Sequence, residues 1–515
     1  ITNDDLRKEL GKNARLKGSS LISENNISII KNGIFTACKI RDNCPPWSLK
    51  SKEIKHDKNK KTIIRFPIGR SGVYSIPDGT ERIENSAFAS CMLIEEVNVP
   101  GSIITIGRGA FSLCTNLTNL ILVNGVISID SDSFSKCYNL KEINIPISVK
   151  EMGRGVFGNC INLKKITIPD SVEKIGKSSF KSCLNLEEAI IGIGLKKIED
   201  WTFHNCVNLK NIKIGKNVSH IGHSAFRGCE NLESVYDASG LIEIDEKSFS
   251  GCLKLTSFKF LINLKRIGAS AFNECKSLPS LNFSDNLENI GGFSFFKCTK
   301  IKKVQIPASV TKIGAAPFAG CENLEKIEVD KLNSAYLSID GVLFDKNKYE
   351  LIQCPAGKVG VYEIPDVNEI GDSAFYGCTN LTGILISIKT TRIHVEAFFG
   401  CEDLKEIKMP NSLRYLGPRA FKNCKSLVNV TLSENIKGIS DETFYGCTSL
   451  KKIVLPDNVS LSERVFVGCT SLLEIKTNDS NSLYRSENGV LFSKDKTLLQ
   501  QYPLGRSGSY VIPDS

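Results

Sequence analysis

The chain has 515 residues, of which 41% are hydrophobic and 24% are charged, and this composition excludes a disordered polar chain. The net charge of +10 comes from 66 basic and 56 acidic residues, a mild bias that does not argue for a nucleic-acid partner. We expect no membrane span within residues 1–515, because the sequence contains no apolar stretch of the required length.

The first 26 residues are polar. Residues 3–16 could form one short helix, with Asn3 as its cap and with Leu6 and Leu10 on one face. Such a helix would close the first coil of a repeat array, because arrays of this kind need polar terminal caps. The alternative is a loose tail, and the sequence leaves both interpretations open.

Residues 27–80 resemble two later segments and are interpreted as a first inserted block with an expanded loop. The Asn32-Gly33 pair in this block is typical of a hairpin turn. The basic cluster at residues 56–61 indicates a solvated turn rather than a phosphate-binding site. Cys38 and Cys44 lie outside any repeat and are the best candidates for a disulfide, although reduced thiols remain possible.

A strict repeat follows. A Phe, a Cys three residues later and a Leu or Ile three residues after that recur sixteen times. A fixed period of 23 residues, with a longer gap once and a 22-residue step at the end, predicts a solenoid of stacked coils. The cysteines that mark the period are Cys91, Cys114, Cys137, Cys160, Cys183, Cys206, Cys229, Cys252, Cys275, Cys298, Cys321, Cys378, Cys401, Cys424, Cys447 and Cys469.

One repeat shows the expected elements. Ile166 and Ile168 alternate with a polar residue, which is the periodicity of a strand, and Pro169 ends that strand. Val172 and Ile175 predict a second short extended piece, after which Gly176 is expected to adopt a positive φ. Residues 177–183 are too short for a long helix and predict one helical turn.

The repeated apolar columns predict the core. We interpret the cysteines as buried thiols that fill a small slot in each coil, because stacked Cβ atoms lie too far apart for a bridge and no His accompanies them. The residues that define these columns in two successive repeats are Phe157, Cys160, Leu163, Phe180, Cys183 and Leu186.

Two further inserted blocks interrupt the period, and each contains an Asp-Gly or Asn-Gly turn signal, at Asp340 and Asn488. Because the repeat pattern is still expected to continue at the last residue, we expect further repeats, a cap or an anchor beyond it. The predicted organisation is 1–26, a polar cap; 27–80, the first block; 81–330, a repeat array; 331–366, the second block; 367–475, a repeat array; and 476–515, the third block with a truncated repeat.

The repeat at residues 157–176, FGNCINLKKITIPDSVEKIG, resembles the leucine-rich repeats of BspA-like surface proteins, the Treponema pallidum type, found in bacteria and parasitic protists. The resemblance covers roughly residues 60–515. It implies a right-handed leucine-rich repeat solenoid of parallel β-strands and short helical turns. It also implies display outside the cell and adhesion to host or matrix proteins through the concave face or the inserted blocks.

No arrangement of residues in the sequence predicts catalysis, a cofactor or a metal centre. The chain has only five His, and His220 and His223, although spaced like metal ligands, are expected to be two surface imidazoles across a strand-to-turn junction. No nucleophile elbow or phosphate-binding loop is present. We therefore expect a non-enzyme.

The exposed strand positions are the candidate partner-binding residues. Among them Lys213, Tyr236 and Lys259 form a basic and aromatic group of the kind that interfaces favour, and the alternative is that these positions vary freely. Two classes of function remain open: an adhesion or interaction protein on the cell surface or secreted, and a structural scaffold inside the cell. The candidate residues for binding a protein partner are Lys165, Lys213, Tyr236, Lys259 and Lys303.

Overall fold

A computed structural model describes residues 61–258, 263–279, 281 and 283–512, and it describes the backbone of four strands between residues 15 and 57. The chain divides into two compact units, Ile1–Asn263 and Leu264–Ser515, which are treated separately below. The predicted cap helix over residues 3–16 lies mostly outside the described residues, and its last two residues belong to a strand.

The first unit contains 21 strands in the part of the chain that the structure describes. They are β1 (Arg15–Lys17), β2 (Ser20–Glu24), β3 (Ile27–Thr36), β4 (Leu49–Asp57), β5 (Thr62–Arg65), β6 (Gly72–Ser75), β7 (Arg82–Ile83), β8 (Ile94–Val99), β9 (Thr105–Ile106), β10 (Asn119–Leu122), β11 (Ser128–Ile129), β12 (Glu151–Met152), β13 (Lys165–Ile168), β14 (Lys174–Ile175), β15 (Glu188–Ile191), β16 (Lys197–Ile198), β17 (Asn211–Lys213), β18 (His220–Ile221), β19 (Ser234–Tyr236), β20 (Glu243–Ile244) and β21 (Ser257–Phe258).

The second unit contains 22 strands in its described residues. They are β22 (Arg266–Ile267), β23 (Asn289–Ile290), β24 (Lys303–Ile306), β25 (Lys312–Ile313), β26 (Lys326–Val329), β27 (Tyr336–Ile339), β28 (Val342–Asp345), β29 (Glu350–Gln353), β30 (Gly360–Glu363), β31 (Glu369–Ile370), β32 (Leu381–Leu385), β33 (Arg392–Ile393), β34 (Glu406–Lys408), β35 (Tyr415–Leu416), β36 (Asn429–Thr431), β37 (Gly438–Ile439), β38 (Lys452–Leu455), β39 (Ser460–Leu461), β40 (Glu474–Thr477), β41 (Tyr484–Glu487), β42 (Val490–Ser493) and β43 (Leu499–Gln501).

In the first unit most coils contribute one longer and one two-residue strand to separate parallel sheets. The longer strands pair in the orders β6-β8-β10 and β13-β15-β17-β19-β21. The two-residue strands pair in the orders β7-β9-β11-β12-β14, which continues from the four-residue strand β5, and β16-β18-β20. The register equals the sequence period, so that Lys165 lies opposite Glu188 and Ile166 lies opposite Ala189. The predicted leucine-rich repeat solenoid is therefore confirmed.

The second unit shows how an inserted block joins the array. Strands β27, β28 and β29 form an antiparallel meander, after which β29 pairs in parallel with β31 and β30 pairs in parallel with β32. The third block repeats this meander in β41-β42-β43. The turn signals are used as predicted, because Asp340 and Asn488 both have a positive φ at the hairpin turns.

The first block differs from this pattern. Asn32 and Gly33 lie within β3 and do not form the predicted turn. Strand β3 pairs on one side with β1 and β2 and on the other with β4, all antiparallel. Hydrogen bonding on both edges outweighs the local turn preference of an Asn-Gly pair. The prediction of a hairpin turn at Asn32 is wrong.

The Phe column lies at the centre of the core. Phe157 is fully buried, and its ring stacks on those of Phe134 and Phe180 at centroid distances of 5.3 and 5.4 Å. The interplanar angles are 13° and 12°, so that the rings run nearly parallel along the array. Each coil thus covers one face of the Phe ring in the next coil.

The cysteines lie beside this column as buried thiols. The Cys160 thiol donates a hydrogen bond to the carbonyl oxygen of Phe134 at 3.1 Å, and Cys183 makes the same bond to Phe157 at 3.2 Å. The cysteines from Cys91 to Cys469 are all buried. Burial raises the pKa of the Cys137 thiol to about 12. The Cys137 thiol therefore stays protonated at neutral pH and is a poor nucleophile.

The segment that was predicted as a helical turn, residues 177–183, forms turns of another kind. The amides of Lys181 and Cys183 bond to carbonyls three residues earlier, whereas those of Phe180 and Ser182 bond to the next coil at 2.8 Å. Ser178 and Ser182 have φ values of 61° and 58°, which interrupt any helix. No helix occurs among the described residues, because alternate amides pair between coils instead of within one.

Gly176 is required for close packing and does not adopt the predicted positive φ. A Cβ atom at this position would lie 2.5 Å from the carbonyl carbon of Gly153 in the preceding coil and closer still to the amide nitrogen of Arg154. The glycine therefore lets two backbones approach each other where any side chain would push them apart.

We expect Gly176→Ala to lower the free energy of unfolding by about 2–3 kcal/mol, because two backbone segments must move apart. Gly69→Ala is the matched control, since a Cβ atom there would meet nothing within 4 Å. Equilibrium denaturation in urea measures both. Equal stability of the two variants would contradict the close-packing role.

Candidate functional site

The outward side chains of the longer strands in the first unit form the surface that we call the strand face. In β13 Ile166 and Ile168 point into the core, whereas Lys165 and Thr167 are exposed. Because the register between strands equals one repeat, equivalent outward positions lie side by side across the sheet. The fold therefore presents rows of side chains that do not have to serve packing.

The structure brings together only part of the predicted partner-binding group. Lys213 and Tyr236 are direct neighbours in the parallel pair β17-β19. Lys165 lies two strands away in β13, and Lys303 belongs to β24 of the second unit. Lys259 and the proposed disulfide cysteines, Cys38 and Cys44, lie outside the described residues. The role of this group in binding stays a prediction.

The described lysines of this group have acidic partners within their own unit. Lys213 Nζ lies 3.1 Å from Asp237, Lys165 Nζ lies 2.8 Å from Glu188, and Lys303 Nζ lies 2.6 Å from Glu328. These exposed ion pairs add little stability, but they neutralise the positive charge of the surface. The strand face is consequently not a basic patch.

A cluster of exposed apolar side chains borders the strand face, and we call it the apolar rim. Its members come from three successive coils. Ile121 belongs to β10, whereas Ile104 and Ile127 directly precede β9 and β11, and the amide of Ile127 bonds to the carbonyl of Ile104 at 2.8 Å. Between 42% and 72% of each side chain is exposed. The apolar rim consists of Ile104, Ile121, Val123, Ile127 and Ile147.

A comparison of equivalent positions in successive coils could have revealed this rim from the sequence. The coil position of Ile104 and Ile127 is occupied by Lys150 in the next coil, and the position of Ile147 is occupied by Asp170. Exposed apolar residues at positions that most other coils keep polar are not required by the core and indicate a surface that contacts another molecule.

One cluster has the donor atoms of a metal site. His220, Glu243 and Asp245 each offer a ligand atom within 4.8 Å of the others. His220 Nε2 lies 2.7 Å from Asp245 Oδ2, and Nδ1 lies 3.3 Å from Glu243 Oε2. Because each ring nitrogen already faces a carboxylate, a metal ion would have to displace one of these contacts. His223, in the adjoining turn, is not part of the cluster.

None of the segments that the structure describes forms a helix of the length and apolar character needed to cross a bilayer.

A protein-family model matches most of the chain. The model of the "BspA type Leucine rich repeat region (6 copies)" matches residues 73–187, 151–279, 242–358 and 368–490. No curated protein matches the chain.

Solved structures of bacterial leucine-rich repeat proteins are also similar. One from Eubacterium ventriosum is 26% identical over 56% of this chain and 72% of its own, with a TM-score of 0.46. One from Bacteroides ovatus is 23% identical over 81% and 94%, with a TM-score of 0.48. The T. pallidum leucine-rich repeat protein is 27% identical over 38% and 92%, with a TM-score of 0.33.

Proposed function

The chain belongs to the BspA-type leucine-rich repeat family, and from that premise we propose that it is a non-catalytic protein-binding solenoid, displayed on the cell surface or secreted. Its partner is a host or matrix protein. The resemblance of the repeats to those of BspA-like surface proteins supports the extracellular location.

The apolar rim is the observation that carries the binding proposal. Ile147 is 72% exposed, so its apolar side chain contributes little to the packing of the core. Its burial against a partner would contribute about 1.5–3 kcal/mol, as for any large aliphatic side chain. The rim, which includes Ile121 of the strand face, provides an apolar centre, and ion pairs of the strand face such as Lys165 with Glu188 provide the polar surface that interfaces usually also contain.

We expect the double variant Ile127→Lys with Ile147→Asp to bind its matrix partner at least about tenfold more weakly, since two apolar contacts are replaced by charges. The array itself accommodates these residues, because Lys150 and Asp170 occupy the same coil positions. Biolayer interferometry against a panel of purified matrix proteins measures the affinity, and thermal unfolding checks the fold.

The matched control is Ile193→Asp. Ile193 is 43% exposed at the coil position of Ile147, two coils further along and outside the rim. This control should bind like the wild type. The proposal fails if the wild type binds no protein of the panel, or if the control and the rim variant weaken binding equally.

Labelling of intact, unpermeabilised cells with an antibody to residues 91–321 tests the location. Labelling without permeabilisation is the expected result. Labelling only after permeabilisation would contradict extracellular display and favour the intracellular scaffold.

A further inference from the structure

Three successive coils place basic or imidazole side chains at one position, directly after the buried Phe. We call Lys181, His204 and Arg227 the cationic row. Lys181 and Arg227 are exposed, and neither has a carboxylate partner among the residues that the structure describes. Elsewhere in this unit Lys177 and Lys210 contact carboxylates of neighbouring coils at 2.7 and 3.0 Å. The positive charge of the row is therefore left for a partner outside the chain.

The centre of the row has an unused polar atom. His204 Nδ1 is buried and has no hydrogen-bond partner. Burial and the nearby charges of Lys181 and Arg227 lower the pKa of this imidazole, so that it is neutral at physiological pH. An anion placed between the two cations would remove the electrostatic cost of protonating His204 and would supply an acceptor for it.

An aromatic residue stands beside the row in the same turn. Trp201 has a φ of 53° at a coil position where Ser178 and Ser224 of the neighbouring coils also have a positive φ, so that only the side chain distinguishes this coil. The half-buried indole makes an edge-to-face contact with His223 at 5.5 Å. Ser224 Oγ, in the next coil, is buried without a partner. A large aromatic side chain thus stands where the neighbouring coils have a small polar one.

Two carboxylates beside Trp201 and His223 are paired with lysines outside the cationic row. Asp200 lies 2.7 Å from Lys177, and Glu246 lies 2.6 Å from Lys247. Neither carboxylate therefore cancels the charge of the cationic row.

We propose that Trp201 and the cationic row form a binding site for a sulfated polysaccharide. Lys181 and Arg227, two coils or about 10 Å apart, would bind sulfate groups, and the indole of Trp201 would pack against the apolar face of a sugar ring. A nucleic acid fits this surface less well, because duplex binding usually neutralises about 6–10 phosphates, whereas the row has two unpaired cations. The inference rests on the proposed extracellular location.

The test uses the 515-residue chain and a heparin oligosaccharide of defined length, with calorimetry at fixed ionic strength. We expect Lys181→Gln with Arg227→Gln to weaken binding about tenfold or more, since two charge-assisted contacts are lost. The control, Lys150→Gln with Lys210→Gln, changes the net charge equally and should alter affinity by less than about twofold.

A second variant separates the specific site from general attraction to basic protein. Trp201→Ser leaves the charge unchanged and restores the residue of the neighbouring coils, so that the fold is expected to persist. It should weaken heparin binding, and in a Trp47→Phe background the fluorescence of Trp201 should change on binding. Unchanged affinity in this variant would overturn the proposal.

Three other results would also overturn it: equal losses in the two double variants, equal affinity for a desulfated oligosaccharide, or equal affinity for a single-stranded oligonucleotide of the same length. The heparin-binding experiment does not depend on the identity of the protein partner. The apolar rim variant should bind heparin normally, and failure of heparin binding would leave the rim experiment unaffected.

Discussion

The folded array is expected to lose stability steeply when the pH rises from about 8.5 to 10, because its core contains a column of thiols that cannot ionise in place. Burial raises the pKa of Cys137 and of Cys229 to about 12. Below about pH 8.5, the usual pKa of a thiol, folded and unfolded chains are both protonated, so this contribution to stability is fully present. Above it only the unfolded chain releases the proton.

The size of the effect follows from proton linkage. Each such thiol removes about 1.4 kcal/mol per pH unit above its unfolded pKa, or roughly 1.5–2 kcal/mol between pH 8.5 and 10. Several coils unfold together, so their losses add. The window ends at pH 10 because tyrosines such as Tyr74, whose burial raises its pKa to about 12, contribute in the same direction above that pH.

Denaturant midpoints measured at pH 7, 8, 9 and 10 in the presence of a reductant test this expectation. The midpoint should hold between pH 7 and 8 and fall above 8.5. Cys137→Ala with Cys229→Ala is the matched variant, and its midpoint should fall less steeply although its stability at pH 7 is lower. A wild-type midpoint that is the same at pH 8 and pH 10 would contradict the buried-thiol interpretation.

The second large effect is expected from Phe226→Ala. Phe226 is fully buried, and its ring stacks on Phe203 at 5.3 Å and on Phe249 at 5.0 Å. Removal of the ring leaves a cavity and exposes one face of each neighbour, so we expect a loss of about 3–5 kcal/mol. Because the backbone register couples each coil to its neighbours, the coils around Phe203 and Phe249 should lose protection first.

Hydrogen exchange resolved along the chain measures that gradient. Lys210→Ala is the control, since Lys210 is exposed and its ion pair with Glu187 adds little stability. Protection should fall near residue 226 and recover towards distant coils. A uniform loss of protection along the whole array would contradict coupling between nearest neighbours.

Most of the fold could be predicted, because the same pattern of apolar residues occurs in sixteen repeats. The alternation of Ile166 and Ile168 predicted a strand, and the three-residue spacing of Phe157 and Cys160 placed both in the core, where they lie. The predicted domain boundaries stay untested.

The errors share one cause, which is that contacts between coils are not local. A helical turn suits residues 177–183 in isolation, but the amide of Phe180 finds its acceptor in the next coil. Likewise the Asn32 turn is lost to strand pairing, and Gly176 is set by the backbone of Gly153 and not by its own φ.

The candidate sites were less predictable than the fold. The sequence singled out Lys213 and Tyr236 by residue type, but only the structure shows that Lys213 is neutralised by Asp237. The sequence could not show that Lys181 and Arg227 have no carboxylate partner among the described residues, or that His204 Nδ1 is buried without a hydrogen-bond partner.

The sequence by itself determined the period, the core columns and the order of the inserted blocks, because packing selects the same apolar residues at the same position in every coil. Only the tertiary structure decided which exposed charges pair and which apolar side chains stay uncovered. Those outcomes depend on distances between side chains that are about 23 residues apart in the sequence, and the sequence of one repeat does not specify these distances.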